Sequence, residues 1–382
     1  MTVVYLHIGT QKTGSTALQD FFWDNKSIME EKGLCFPDFG RFDSHVGAKR
    51  NAHWMRLFVK RPGGFRADLA KVCTLAEHYN KIVLSDEGLW ESMVYNRTFW
   101  QTIRDCFTQN GIECRIIVYL RRQDEYVYSK WAQRVKAGST HGRTLSVSFR
   151  EFMDQGLYRE STTRYLESLQ ELSAVMGREN LIVRIFEPEQ FTSRTDGERT
   201  LFTDFLDAIG EKMLPEYRIP ENRSNISLSG NVLEARRLLN EYDAINYGNY
   251  SIRQYFDRVQ LDMKREGRIV DRSGFTKEVR LTFMQQFEQE NRILAQTYLG
   301  RADGVLFYNP VDDTVKEASP YSIEEIIEVC ARLIYEMQQK ELQQQAHIQE
   351  LTRAETYLKA ELKKPPLKRA VAGLLRRRAG SG

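Results

Sequence analysis

The chain has little of what marks a secreted, metal-stapled or membrane-spanning protein. Its five cysteines, Cys35, Cys73, Cys106, Cys114 and Cys330, are odd in number and none falls at a paired metal-ligand spacing. That points away from a disulfide framework or a zinc module and toward a reducing compartment. No run approaches the roughly 18 to 20 apolar residues of a membrane span. The opening MTVVYLHIGTQKTG has no basic segment ahead of its short apolar stretch, so it reads as a first strand rather than a signal peptide. The expected location is therefore the cytoplasm. A general excess of positive charge is missing too. Lysine and arginine (55) nearly balance aspartate and glutamate (52) for a net +3. Seven of those cations (Lys363, Lys364, Lys368, Arg369, Arg376, Arg377, Arg378) lie in residues 363–382, which hold no acid. Taking the tail's +7 from +3 leaves −4 on residues 1–362, so the body lacks the basic footprint of a protein that tracks nucleic acid.

What is present is an ordinary globular composition, 41% hydrophobic and 28% charged over 382 residues, enough for one large domain or one with an appendage. Four short β-branched or apolar segments stand out, Val3 to Ile8, Lys81 to Leu84, Arg115 to Leu120 and Leu181 to Phe186. Each is too short for a helix and is separated from the next by helical patterns, which predicts an α/β, three-layer fold around a buried parallel sheet. After Glu187 strand signals nearly vanish, and Ser229 to Tyr242, Ser251 to Arg265 and Thr276 to Leu299 read as amphipathic helices, giving a mostly helical C-terminal half.

From Ile323 a heptad reading places Ile323, Ile327, Cys330, Ile334, Met337, Ile348, Leu351, Leu358 and Leu362 at nine of twelve core positions, with Glu341, Gln344 and Glu355 as breaks. A long C-terminal helix ending at Pro365–Pro366 follows. It either pairs with a second copy as a coiled-coil homodimer or packs back on the body. Beyond it, Leu367, Val371, Leu374 and Leu375 share a face of a short basic helix, read either as a peripheral contact with the inner face of an anionic membrane or as a solvated tail. The expected division is a main domain over 1–310 (α/β core 1–230, helical region 231–310), a long helix or coiled coil over 320–364 and a basic tail over 365–382.

The first strand runs into Gly9-Thr10-Gln11-Lys12-Thr13-Gly14-Ser15-Thr16 and then into a helical pattern. Such a turn is an anion cradle, because unpaired backbone N–H groups and the positive end of the helix dipole converge on it. Gly9 and Gly14 keep the spacing of a nucleotide-triphosphate loop, but Ser15 stands where that loop has its lysine, and the one lysine is Lys12, at mid-loop. A lysine there lies nearer a 5′ group only one phosphate and one sulfuryl long.

This P-loop-like arrangement resembles the 5′-phosphosulfate loop of the sulfotransferases that use 3′-phosphoadenosine-5′-phosphosulfate (PAPS), in which Lys or Arg precedes a T/S-G-[ST]-[ST] run; Gln11-Lys12-Thr13-Gly14-Ser15-Thr16 is the matching stretch. A second motif resembles the same family. The strand Arg115 to Leu120 ends in Arg121, and Ser129 follows eight residues later across a helix start. In the family that Arg and Ser hold the donor's 3′-phosphate. Arginine offers a bidentate fork for the purpose, and its alternative use is a surface ion pair with Asp124 or Glu125. Both motifs fall at the C-terminal ends of expected parallel strands, where open α/β sheets bind ligands.

The resemblance covers roughly residues 1–230 and implies in-line displacement at sulfur, with Lys12 and the amides of Thr13 to Thr16 stabilising charge on the departing nucleotide and no metal required. It also implies a base for the acceptor proton near Ser85-Asp86-Glu87. Glu87 is the first candidate and His53 the rival, with Trp54 and Trp90 as surfaces on which an acceptor would stack. Gly33-Leu34-Cys35-Phe36-Pro37 is similar to a segment of bacterial members. Arg223, in a stretch similar to an R-x-N-x-S-x-S element, is the candidate for closing over the 3′ side of the donor; Asn225 and Ser229 there have turn and N-cap roles open to them. The implied acceptor is a hydroxyl of a glycan, a glycolipid or a small compound, and no nucleic-acid partner is expected. Two other readings remain. A P-loop kinase or NTPase would use Asp86 and Glu87 as a Mg²⁺ pair, and a nucleotide-free scaffold would act through the long helix.

Overall fold

The computed structural model describes residues 1–39, 49–137, 145–158, 160–194, 197–220, 226–242, 250–313, 315 and 319–362. Strands β1 (Val3–Gly9), β2 (Leu34–Cys35), β3 (Lys81–Ser85), β4 (Glu113–Leu120) and β5 (Leu181–Ile185) form one sheet in the order β2-β3-β1-β4-β5. Every neighbouring pair is parallel. The expected α/β architecture is thus present. β2 is an addition: a two-residue strand is too short to show a period, and it falls within the Gly33 to Pro37 segment.

The strands are near-continuous apolar runs because both faces are covered. Val4, Leu6 and Ile8 point into one layer, where they join Phe65 and Leu69 of α2 (Pro62–Leu75), Phe99, Trp100, Ile103 and Phe107 of α3 (Arg97–Gln109) and Leu169 and Leu172 of α5 (Tyr165–Met176). Tyr5, Val83, Ile117 and Tyr119 point the other way, onto Leu18, Phe21 and Phe22 of α1 (Ser15–Asp24) and Phe205 and Leu206 of α6 (Leu201–Ala208). Local chemistry starts these helices where they are needed. Asn96 caps α3 by accepting from Phe99 N (3.0 Å), and Thr200 and Thr203 form a reciprocal cap at the start of α6. Between β4 and β5 lies α4 (Gln123–Ala137), which begins at the rim of the sheet.

The chain divides into two compact units, Met1–Ser227 with Asp271–Pro320, and Leu228–Val270 with the segment from Tyr321 onward. In the second, α7 (Gly230–Leu239), α8 (Tyr250–Arg265) and the first half of α11 (Ile323–Leu362) pack around Val232, Leu233, Phe256, Val259, Met263, Val329 and Leu333. Ser229 sits at the N-cap position of α7 without capping it; its Oγ instead accepts from Gln260 Nε2 at 2.9 Å. The helical stretch expected over Thr276 to Leu299, which belongs to the first unit, is two helices, α9 (Lys277–Gln285) and α10 (Glu288–Leu299). The break comes at Phe287, whose buried ring packs on Phe283 and under Arg164.

α11 is continuous over 40 residues, about 60 Å. Ile323, Ile327, Ile334, Met337, Ile348, Leu351 and Leu358 of its heptad seam are exposed, whereas Val329 and Leu333 are buried on a neighbouring face. The basic tail lies outside the described residues. Among those residues, no helix is long and apolar enough to cross a membrane.

Phe22 is buried, stacked on Phe36 (5.5 Å between centroids) and edge-on to Phe205 (5.2 Å). Phe22→Ala should cost about 3–5 kcal/mol in denaturant titration. A loss below about 1 kcal/mol would contradict this packing.

Candidate active site

The loop between β1 and α1 is held by its own residues and by the end of β4. Thr10 donates to Tyr119 O twice, from its backbone N (2.7 Å) and from Oγ1 (3.0 Å), and Thr13 Oγ1 donates to Thr10 O (2.6 Å). Gly9 and Gly14 have φ of 119° and 75°, in the region that favours glycine, and both are crowded. A Cβ on Gly9 would lie 3.0 Å from Glu87 O, and one on Gly14 would lie 2.4 Å from Leu201 Cδ2. Lys12 also has a positive φ, 67°, without being glycine, the kind of local strain that clusters at binding loops.

The first amide of α1 to bond back is Leu18 N, to Gly14 O (3.1 Å), so the amides ahead of it have no acceptor within the helix. Ser15 Oγ is buried without a hydrogen-bond partner among the described residues. An orphaned hydroxyl beside helix-start amides fits an anionic oxygen.

Arg121 closes one side of this cradle. Its Nη1 donates to Lys12 O at 3.1 Å, its Nε to Glu125 Oε2 at 3.0 Å, and its own carbonyl accepts from Tyr165 OH at 2.7 Å. The surface ion pair weighed for Arg121 therefore exists, with Glu125, and coexists with the loop contact. Asp124 serves other cations: it accepts from Arg122 Nε (2.7 Å) and Arg280 Nη1 (3.1 Å). Ser129 is half-buried on α4, and its hydroxyl has no hydrogen-bond partner among the described residues. Arg223 lies outside the described residues.

A network absent from the sequence reading braces the loop from below. Lys130 of α4 is bonded to Glu91 and donates to Gln11 Oε1 (2.6 Å), while Gln11 Nε2 donates to Glu91 Oε2 (2.8 Å).

Beside the loop, the end of β3 presents two carboxylates in different surroundings. Asp86 is fully buried; its Oδ1 accepts from Gly88 N (2.8 Å) and its Oδ2 lies 3.1 Å from His53 Nδ1. Burial alone would raise its pKa, but the His53 contact, Arg50, Arg56 and the Gly88 amide together outweigh it and lower the carboxyl below its ordinary range. Glu87 is 6% exposed, with Oε1 paired to Arg50 and Oε2 accepting from Gln19 Nε2 at 3.1 Å. Burial dominates here and raises its pKa, against the pull of Arg50 and with a further push from Asp86. The His53 side chain is 30% exposed, and its Nε2 has no hydrogen-bond partner among the described residues.

Trp54 and Trp90 are not acceptor surfaces. Trp90 is fully buried with its indole N–H donating to Thr162 O (3.2 Å), and Trp54 is wedged between Phe39 and Phe65. Both belong to the core under the rim, so neither ring face is open. Arg50, Gln19, Lys130 and Glu91 are the site residues the sequence reading missed. They act through contacts 37 (Arg50 to Glu87) to 119 positions apart and carry no local signature. Among the described residues, no group of three or more His, Cys, Asp and Glu side chains is placed to hold a metal ion.

The comparisons with known proteins leave the activity open. No family model matches the chain. It is 29% identical over 220 residues to an uncharacterized protein of Archaeoglobus fulgidus, covering 55% of each chain, so it spans about half the length of that relative. Among solved structures it is similar to a sulfotransferase from Alicyclobacillus acidocaldarius (14% identity, 65% of this chain and 98% of that one, TM-score 0.35). It is also similar to the sulfotransferase domain of the Synechococcus PCC 7002 olefin synthase (14% identity, 56% and 74%, TM-score 0.30). The functional reading rests on the site itself.

His7, on β1 below the loop, gives the site a measurable pH signature. Its Nδ1 lies 2.9 Å from Ser85 Oγ, its Nε2 is buried without a partner among the described residues, and burial lowers its pKa from 6.5 to about 4. The folded state therefore keeps His7 neutral where the unfolded chain takes up a proton, and stability falls as pH drops from about 6.5 toward 4. The loss attributable to His7 is about 3 kcal/mol. His7→Gln should show a shallower decline over that window in denaturant titrations; equal declines would contradict the buried neutral histidine.

Proposed function

We propose that this chain is a sulfotransferase that moves the sulfuryl group of PAPS to an acceptor hydroxyl of a carbohydrate, glycolipid or small compound. The observation that carries the reading is the hydrogen bond from Arg121 Nη1 to Lys12 O (3.1 Å). It joins the two motifs, separated by more than a hundred residues, around one cradle at the C-terminal ends of β1 and β4, adjacent strands of the parallel sheet.

PAPS, when bound, supplies an activated sulfuryl group on a 5′-phosphate. Lys12, the amides of residues 13–16 and the hydroxyl of Ser15 would hold that 5′ end, and Arg121 with Ser129 would hold the 3′-phosphate. Donors fixed in advance by Thr10, Thr13 and the Lys130–Glu91–Gln11 network stabilise charge on the leaving oxygen without reorganising. The same cradle and arginine fork orient the sulfur for in-line attack.

A kinase or NTPase reading is less well supported. Ser15, in the lysine position of a triphosphate loop, is buried. Asp86 and Glu87, the pair that reading gives to Mg²⁺, are already engaged by His53, Gly88, Arg50 and Gln19.

Calorimetric titration with PAP tests the proposal. Binding should be independent of Mg²⁺. Arg121→Ala should weaken it by about 1.5–3 kcal/mol, roughly 10- to 150-fold in Kd. Gly14→Ala should weaken it, since φ at Gly14 is 75° and the new methyl would press on Leu201. Lys12→Ala should weaken it and cost turnover by about 3 kcal/mol. Mg²⁺-dependent ATP binding with no affinity for PAP would overturn the reading.

A further inference from the structure

Glu87 and His53 compete for the role of base, and their surroundings differ in a way that decides between them. Both oxygens of Glu87 are taken, Oε1 by Arg50 and Oε2 by Gln19 Nε2, and the side chain is almost wholly buried. Each oxygen keeps a second lone pair, but at 6% exposure the side chain offers an acceptor hydroxyl almost no approach to it. Geometry precedes basicity for a proton acceptor, so the raised pKa of Glu87 does not restore its candidacy. His53 is the reverse case. It opens the short helical turn His53–Leu57 at the rim, its ring is partly exposed, and among the described residues only Nδ1 is engaged.

That engagement also fixes the tautomer. Asp86 is buried, held by the Gly88 amide and flanked by Arg50 and Arg56, all of which favour the carboxylate. A carboxylate only accepts, so the hydrogen between the two residues sits on His53 Nδ1 and the lone pair sits on Nε2. Asp86 is joined to the phosphate loop through the backbone: its N–H donates to His7 O at 3.0 Å, and the next carbonyl, Glu87 O, lies against Gly9. The oriented imidazole is thereby tied to the strand that leads into the cradle.

We propose that His53 is the catalytic base and Asp86 the residue that positions it, while Glu87 fixes Arg50 and Gln19. The assignment rests on the sulfuryl-transfer reading above. His53 Nε2 takes the proton of the acceptor hydroxyl as the acceptor oxygen bonds to sulfur. The sulfur–oxygen bond to the 5′-phosphate breaks, its electron pair stays with the departing PAP, and the imidazolium later returns the proton to solvent.

The test measures single-turnover transfer from labelled PAPS to water and to a mixture of methyl glycosides, with PAP affinity determined for each variant. His53→Ala should keep PAP affinity within about threefold yet lose about 10²- to 10⁴-fold in transfer rate. Imidazole added to the medium should restore part of that loss. Asp86→Asn presents an amide N–H to Nδ1 and favours the tautomer with hydrogen on Nε2, so it should lower the rate with little change in KM for PAPS. Because both residues act as one unit, Asp86→Asn should add nothing to His53→Ala.

Transfer by His53→Ala at the wild-type rate, or losses that multiply in the double variant, would overturn the assignment while leaving PAP binding intact. Wild-type protein that binds PAP but transfers to neither water nor glycosides would overturn it as well. If the wild type does not bind PAP, the donor reading itself fails and the assignment falls with it.

Discussion

Three hydrogen bonds tie the β1–α1 loop to the end of β4, and the candidate site is organised around them. Thr10 gives two of these to Tyr119 O, and Arg121 gives the third to Lys12 O. The loop is thus fastened at its entry and at its midpoint to the strand that also carries the arginine fork. Parallel pairing of β1 with β4 sets their spacing, with Val3 opposite Glu113 and Gly9 opposite Val118. The apolar layers on either face of the sheet hold that pairing, so core packing and the geometry of the loop share one mechanical path. The positive φ at Lys12 is sustained because its carbonyl has a fixed charged donor.

The rim of β3 illustrates how adjacent residues acquire opposite chemistry. Asp86 and Glu87 are both buried carboxylates, yet one is held ionised and the other is raised. Asp86 collects a backbone amide, an imidazole and two guanidinium groups, enough to outweigh desolvation. Glu87 has one guanidinium and one amide, and desolvation prevails. Asp86 stays paired with His53, and Glu87 with Arg50 and Gln19.

Much of the fold was legible because β1, β3, β4 and β5 are short, largely apolar runs flanked by helical periodicity. The two-residue β2 offers no period to detect, and the interruption at Phe287 depends on where one ring finds cover. The interleaving of the two units also escapes a linear reading, since residues 228–270 and α11 meet only in space. Within the site, Lys12, Gly14, Arg121 and Ser129 stand in spacings that a loop-and-helix argument can use. Arg50, Gln19 and Lys130 do not, because their partners are fixed by tertiary contact alone. The tryptophans went the other way: nothing in the local pattern distinguishes a rim indole from a core one, and the packing of Trp54 and Trp90 against the layer beneath the sheet's end placed both inside.

The most direct measurement is a crystal structure of the chain with PAP bound. The 5′-phosphate is predicted within hydrogen-bond reach of Lys12 and the amides of residues 13–16, with the 3′-phosphate on Arg121 and Ser129. A nucleotide seated away from the Gly9 to Thr16 loop, or reversed so that its 3′-phosphate occupies it, would contradict the proposed donor site.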